Sequence, residues 1–178
     1  MKGRYIFYAF GLIKLFFLKV FHPFKLKLFG ISMICPSVKI ELGKQSKLVL
    51  HNGVSIRRNT EIDVRDHALI ELGNHSFFNS NCLIVAHKKI VIGAGVEFGP
   101  GVMVFDHDHK YKNGLEKRGF ESSEIIIGNN VWIGAGTIIL RGSHISDNCV
   151  IAAGSVIKGN YEPGSIIYQK RNTIVSTI

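Results

Sequence analysis

The sequence predicts an all-β chain wound as a solenoid of short parallel strands, preceded by a helical arm and interrupted by one long loop. Three observations carry this reading. From Ile127 the chain falls into blocks of six, IGNNVW, IGAGTI, ILRGSH, ISDNCV, IAAGSV and IKGNYE, led by Ile at 127, 133, 139, 145, 151 and 157. Four residues after the leaders stand Val131, Thr137, Ser143, Cys149, Ser155 and then Tyr161, small until the last. Nineteen glycines against four prolines supply tight turns without a proline-rich linker.

A period of six suits neither a helix, which needs apolar residues three and four apart, nor a flat strand, which needs them two apart. Each block instead makes one short strand and a turn, one side of a triangular coil that closes after three blocks. The aliphatic leader points inward and stacks on its equivalents above and below. The residue four later also points inward, near a corner where only a small side chain fits. Gly, Asn and Asp between them adopt the turn conformations, including φ > 0. Successive coils pair as parallel strands roughly 4.8 Å apart, so about six coils from Val38 to Asn160 stand roughly 28 Å tall. This makes Cys82 and Cys149 buried, reduced thiols at inward small positions.

The elements follow in order. Residues 1–36 form a basic, aromatic arm. Its first 30 residues hold Lys2, Arg4, Lys14, Lys19, Lys25 and Lys27, no acid, and seven of the twelve phenylalanines. Residues 37–160 form the solenoid, first with a drifting frame from Val38 to Ala68. The frame then steadies through LGNHSF from Leu72, FNSNCL from Phe78, IVAHKK from Ile84, IGAGVE from Ile92 and FGPGVM from Phe98. It breaks after Val104, where a polar loop spans 106–124. Residues 161–178 form a tail.

Composition excludes several classes. The 178 residues suffice for one domain with a sizeable core, and 46% hydrophobic with 20% charged residues argues against disorder. Three scattered cysteines make neither a disulfide scaffold nor a zinc knuckle, which points to a reduced, cytoplasmic protein. The formal charge of +9 places +6 in residues 1–30 and leaves 16 basic against 13 acidic residues elsewhere, so no basic groove for nucleic acid is implied. The run YIFYAFGLIKLFFLKVF, broken by Lys14 and Lys19, is a poor membrane span and has no cleavage site behind it. Two readings of the arm stand side by side. One is a helix that closes an open end of the core or packs on a partner subunit. The other is a peripheral helix at the inner face of the membrane, with aromatics among headgroups and lysines on anionic lipid.

Chemistry concentrates where the repeat breaks. Phe105-Asp106-His107-Asp108-His109 opens an excursion too long for mere connection. His107 and His109 project from the same side of an extended segment. The pair could hold a metal, although no third ligand stands at characteristic spacing and His87 lies one coil earlier. It could instead supply a neutral imidazole as general base, oriented by Asp106 or Asp108; this reading is preferred, with no metal required. His22, His51, His67, His75 and His144 read as solvated or capped side chains.

Taken together, the Ile-led hexads, the run IIIGNNVWIGAGTII and the segment FFNSNCLIVAHKKIVIGAGVEFGPGVMVFDHDH resemble the hexapeptide-repeat acyltransferases. The likeness is to galactoside and maltose O-acetyltransferases and to acetyltransferases of polysaccharide biosynthesis. It extends from Val38 to Ile167 and implies a left-handed parallel β-helix, an exception to the right-handed crossover rule. It also implies a homotrimer with active sites between neighbouring prisms. By this resemblance Asn79 falls on the acceptor-binding Asn and His109 on the catalytic His, with His107 its nearest rival because the family carries a single His there. Acetyl-CoA is the implied co-substrate. Gly134 and Ala135 would lie near its thioester beside Trp132, and Ala153 and Ser155 along the pantetheine arm. Lys158, Lys170 and Arg171 are candidate cations for its phosphates, although YQKRN replaces the family's usual Gly-x-Pro-Ala turn. The expected reaction is acetyl transfer to a sugar hydroxyl in surface polysaccharide or lipopolysaccharide synthesis. N-acetylation of an amino sugar, a carbonic-anhydrase-like zinc enzyme and a non-catalytic scaffold are the alternatives.

Overall fold

The computed structural model describes the backbone of residues 2–112 and 115–170 and the side chains of residues 9–111 and 119–170. One helix, α1 (Lys2–Phe21), leads into a solenoid with three parallel sheets. The first sheet stacks seven strands from Leu26–Phe29 to Asn160–Tyr161, and the second stacks seven from Met33–Ile34 to Ile166–Ile167. The third stacks six, from Lys39–Leu42 to Val156–Ile157. Six complete coils result, with two sides of a seventh.

The core is the stack of leaders. In the third sheet Ile40, Ile62, Ile84, Val104, Ile139 and Ile157 lie in one register, and all but Ile40 are fully buried. Phe78 and Phe98 fill the middle coils, their rings stacked at 4.4 Å between centroids. Thr60, Cys82, Val102, Thr137 and Ser155 form an inward corner column, where the Ser155 hydroxyl donates to Ala152 O at 2.7 Å. Cys82 and Cys149 are buried free thiols, as the hexads imply, and burial pushes the Cys82 thiol up from its ordinary pKa.

Coils begin earlier than the hexads reveal. The first starts at Leu26, ahead of residue 37, and Leu26, Leu48 and Ile70 stack with steps of 22 residues. The step is 20 from Ile70 to Ile90 and settles to 18 from Ile133 to Ile151. Physically, N-terminal strands of the first and third sheets turn two residues inward instead of one, as in Leu48 and Leu50 or Ile62 and Val64. The drift in frame from Val38 to Ala68 is therefore strand lengthening, with the inward face preserved.

Corners are held by local chemistry. Asn59, Asn81, Gly101, Gly136 and Gly154 succeed one another at the edge between the second and third sheets, all with φ between 56° and 70°. Asn and Gly are the residues that accept this left-handed region at low cost. At the edge between the first and second sheets, carbonyl or carboxylate oxygens of Asn52, Asn74, Asn129 and Asp147 accept backbone N–H bonds from the coil before.

Helix α1 lies across the open N-terminal end. Gly11, Leu15 and Leu18 face inward: Leu15 is 3% exposed, and a Cβ on Gly11 would collide with Ile34 O. Lys14 Nζ donates to Pro36 O at 3.0 Å and to Val38 O, and Lys19 Nζ donates to Pro23 O and Leu26 O at 2.9 and 2.6 Å. These lysines cap carbonyls of the turns and strand starts of the first coil, and burial lowers the Lys14 pKa. The core-closing reading of the arm thus holds for one face of α1. Among the described residues, no helix is long and apolar enough to cross a membrane.

Candidate active site

The excursion after Val104 is an antiparallel hairpin, His107–Lys112 paired with Leu115–Ser122, with a register shift between His109 and Lys110. It leaves the solenoid at the edge between the third and first sheets. Ser123 N donates to Asp106 O at 2.9 Å and closes its base, beside a Lys89–Glu124 ion pair at 3.1 Å. That pair holds the Glu124 carboxyl below its usual range. The core is undisturbed, since Met103, Val104 and Phe105 lie in register with Ile138, Ile139 and Leu140 on the far side of the insertion.

At the hairpin's root, strand alternation sorts FDHDH. His107 and His109 share one side, as expected, and both meet Phe120 of the returning strand, with ring centroids at 5.3 and 4.8 Å. His87, one coil earlier, completes the cluster at 3.9 Å from His107 and 4.3 Å from Phe120. Burial holds the His87 imidazole below its ordinary pKa, and the neighbouring His107 charge adds to the effect. His107 is largely buried and His109 exposed.

The two aspartates do not act alike. Asp106 is fully buried, and its carboxylate accepts three backbone N–H bonds, from His87, Lys88 and Lys89, at 2.7, 2.7 and 2.8 Å. A longer contact of 3.3 Å reaches His107 Nδ1. Because an ionised carboxylate only accepts, that contact requires the proton on Nδ1 and leaves Nε2 able to receive one. Asp108 points to the other side of the strand. Its partner is Arg141, with Nε to carboxylate at 2.5 Å, while Arg141 Nη2 reaches Glu121 at 3.0 Å. The expectation that Asp108 orients an imidazole is therefore corrected: Asp108 and Arg141 tie the hairpin to the next coil.

The other expected residues lie elsewhere. Asn79 sits at the edge between the second and third sheets, its side-chain oxygen accepting from Ser80 N at 2.9 Å. Eight residues of the same coil separate it from His87, roughly 20 Å along the third sheet. Ala135 and Ala153 are exposed at Asn79's edge, and Gly134 packs there against Ala153, too close for a Cβ. Trp132 projects from the second sheet, 56% exposed, between Glu97 and Val150. Ser155 does not face the surface; at 2% exposure its hydroxyl is turned into the core, so a side-chain contact with pantetheine is not available. Lys158 and Lys170 are exposed, and Arg171 lies outside the described residues. One chain thus puts the histidines on one edge of the third sheet, where Lys158 also falls, and Asn79 with Gly134, Ala135 and Ala153 on the other.

Sequence reasoning placed His87 one coil before the pair without assigning it to a cluster, and missed Phe120, Arg141 and Arg57. The Asn113-Gly114 pair is a hairpin signal that points to antiparallel strands; an unshifted two-residue turn would set Arg118 opposite His109, and the register shift after His109 sets Phe120 there instead. Arg57 lies one coil from Asn79, with its guanidinium 5.5 Å over the Phe77 ring and its buried Nε unpaired. No sequence pattern marks it. Among the described residues, no group of three His, Cys, Asp or Glu could hold a metal ion. The His87 and His107 rings face each other at a tilt of 33°.

This coil geometry defines a class. The repeat from residues 124 to 159 matches the family described as bacterial transferase hexapeptide (six repeats), and the resemblance to hexapeptide-repeat acyltransferases is borne out. The chain is 37% identical over 98 residues to the galactoside O-acetyltransferase of Escherichia coli (strain K12), covering 54% of this chain and 48% of that protein. It is 25% identical over 126 residues to WbbJ of the same strain, a protein named for lipopolysaccharide biosynthesis O-acetyl transfer, covering 65% and 62%. Among solved structures, a hexapeptide-repeat containing acetyltransferase of Vibrio cholerae O1 biovar eltor, complexed with acetyl coenzyme A, superposes with a TM-score of 0.54. Its identity is 21%, over 80% of this chain and 65% of that one. The left-handed parallel β-helix implied by the resemblance is the fold of this chain. The chain spans about half the length of the galactoside O-acetyltransferases it matches.

Proposed function

We propose that the protein is an acetyl-CoA-dependent O-acetyltransferase acting on a sugar hydroxyl in surface polysaccharide or lipopolysaccharide synthesis. The observation that carries this is the histidine cluster under Phe120 at the root of a hairpin, set into a hexapeptide solenoid. The relatives' names support the reaction class, and the acetyl coenzyme A in the Vibrio structure supports the donor.

In this reading His109 takes the proton of the acceptor hydroxyl as the oxygen attacks the thioester carbonyl. The tetrahedral oxyanion is held by backbone N–H groups. It collapses with C–S cleavage, and the imidazolium returns its proton to the departing CoA thiolate. Asn79 binds the acceptor, and Arg57 beside it offers a cation to an acidic one. Trp132, Gly134, Ala135 and Ala153 line the acetyl and pantetheine path, while Lys158, Lys170 and Arg171 serve the phosphates. His107 is a second reading for the base, favoured by its Nδ1 contact with Asp106.

A homotrimer completes the site. The outward side of the third sheet carries Leu83, Val85, Met103, Phe105, Ile138 and Leu140, an apolar face suited to a three-fold axis. Turning that face to the axis sets the histidine edge of one protomer against the Asn79 edge of the next. The enzyme works peripherally at the inner face of the membrane, with residues 1–30 as the contact.

His109→Ala should abolish acetyl transfer, read as CoA thiol release, while light scattering still reports a trimer. Loss with His107→Ala alone moves the base to His107. Near-normal rates in both variants would remove the histidines from the chemistry.

A further inference from the structure

Helix α1 turns one face inward and leaves the other uncovered. Phe10, Ile13, Phe17, Val20 and Phe24 recur at the three- and four-residue steps of one helical face, continued past Phe21, and Phe16 and Leu12 flank it. These side chains are 44–87% exposed, with Phe21 at 73% and Phe24 at 87%. Phe29, Ile31 and Met33 of the first coil extend the patch on the same end of the prism, at 59%, 70% and 42%. So large a cluster of exposed aromatic and aliphatic groups marks an interaction surface.

Charge selects the occupant. Residues 1–40 contain no acid; the first is Glu41. Two copies meeting through this face would set +6 against +6 with nothing to pair. An anionic lipid surface offers the opposite charge together with an apolar layer for the rings. The structure also divides the work between side chains. Lys14 and Lys19 are spent on backbone carbonyls of the first coil, so the rings carry insertion, while exposed Lys27 and the arm's overall charge supply attraction.

We propose that the protein docks on an anionic bilayer through this face and stands upright on its N-terminal end. This deepens the reading of the arm above by assigning the inserting residues and the orientation. The hairpin leaves the fourth coil, three coil spacings above the first, roughly 14 Å. With the helix layer of about 10 Å beneath, the histidine cluster stands roughly 24 Å over the lipid. Saccharides tethered to lipid are the acceptors within its reach; for the acceptor alone, the proposal rests on the acetyl-transfer reading.

The test is co-sedimentation of the full chain with vesicles of equimolar phosphatidylcholine and phosphatidylglycerol, against phosphatidylcholine alone. Binding is expected to the anionic vesicles. The Phe17→Glu/Phe21→Glu variant should weaken it at least about tenfold. Phe24→Glu, at a side chain too exposed to matter for folding, should weaken it several-fold with an unchanged thermal transition. No vesicle binding by the wild-type chain overturns the proposal, as does equal binding by Phe24→Glu and the double variant. A larger protein assembly dissolved by these substitutions, without vesicle binding, assigns the face to protein contact instead. Acetyl-CoA binding, measured on the same samples, should be unaffected by Phe24→Glu. Its loss in the wild-type chain would count against the reaction and leave the docking intact.

Discussion

Replacing Asp106 separates a scaffold role from a chemical one. Its carboxylate accepts backbone N–H bonds from His87, Lys88 and Lys89 in a site with no exposure to solvent. Asp106→Ala strands three part-buried donors at about 1–1.5 kcal/mol each, so about 4 kcal/mol of stability is lost. For a chain of this length that lowers Tm by roughly 8–16 °C, read by circular dichroism at matched protein concentration. Asp106→Asn should fall between, because the amide keeps an acceptor but turns a donor toward the N–H groups. Hydrogen exchange localises the effect: the amides of residues 87–89 should lose protection while that of Ile133, held by the second sheet, keeps it. If Asp106→Asn instead keeps wild-type Tm and protection but loses kcat about a hundredfold, the carboxylate acts through His107 alone and the argument from the corner fails.

Two further substitutions test the hairpin. Arg141→Ala removes ion pairs to Asp108 and Glu121 that solvent still reaches, so it should cost about 1 kcal/mol in global stability. Limited proteolysis should nevertheless cut the hairpin faster, and KM for the acceptor should rise with little change in kcat; an unchanged digestion pattern would remove Arg141 as a tether. For His87, burial lowers the folded pKa, so the unfolded chain takes up the proton first as pH falls through about 6.5. Its contribution is fully present above that pH and is lost as pH drops toward the folded value. His87→Leu should therefore flatten the fall of urea midpoints on acidification, whereas an identical slope would show that His87 is not the titrating group.

What the sequence revealed depended on how much each signal is repeated. Six Ile leaders in strict frame disclose the coil, because every coil must bury the same position. Leu26 to Leu42 hid because that coil carries longer strands among lysines, so its inward residues fall eight apart between Leu26 and Ile34 and six apart between Ile34 and Ile40. The break at Asp106 was legible, and the common side of His107 and His109 followed from strand alternation. The fates of Asp106 and Asp108 were not, since adjacent corner and strand positions send identical side chains to opposite surroundings. His87 joins the cluster only through stacking of one coil on the next, and Arg141 meets Asp108 across 33 residues. Such contacts between coils leave no local period to read.

The hairpin grows out of a wall that does not register its presence. Strands on either side pair as if nothing intervened, and one backbone hydrogen bond from Ser123 to Asp106 closes the gap. Lengthening such an excursion costs only about 0.6 kcal/mol per doubling in closure entropy. The chain is thereby a chassis with an exchangeable tool at one station. Hairpins of other lengths and sequences could be transplanted between Asp106 and Ser123 to vary acceptor choice, while the stacked isoleucines continue to hold the frame.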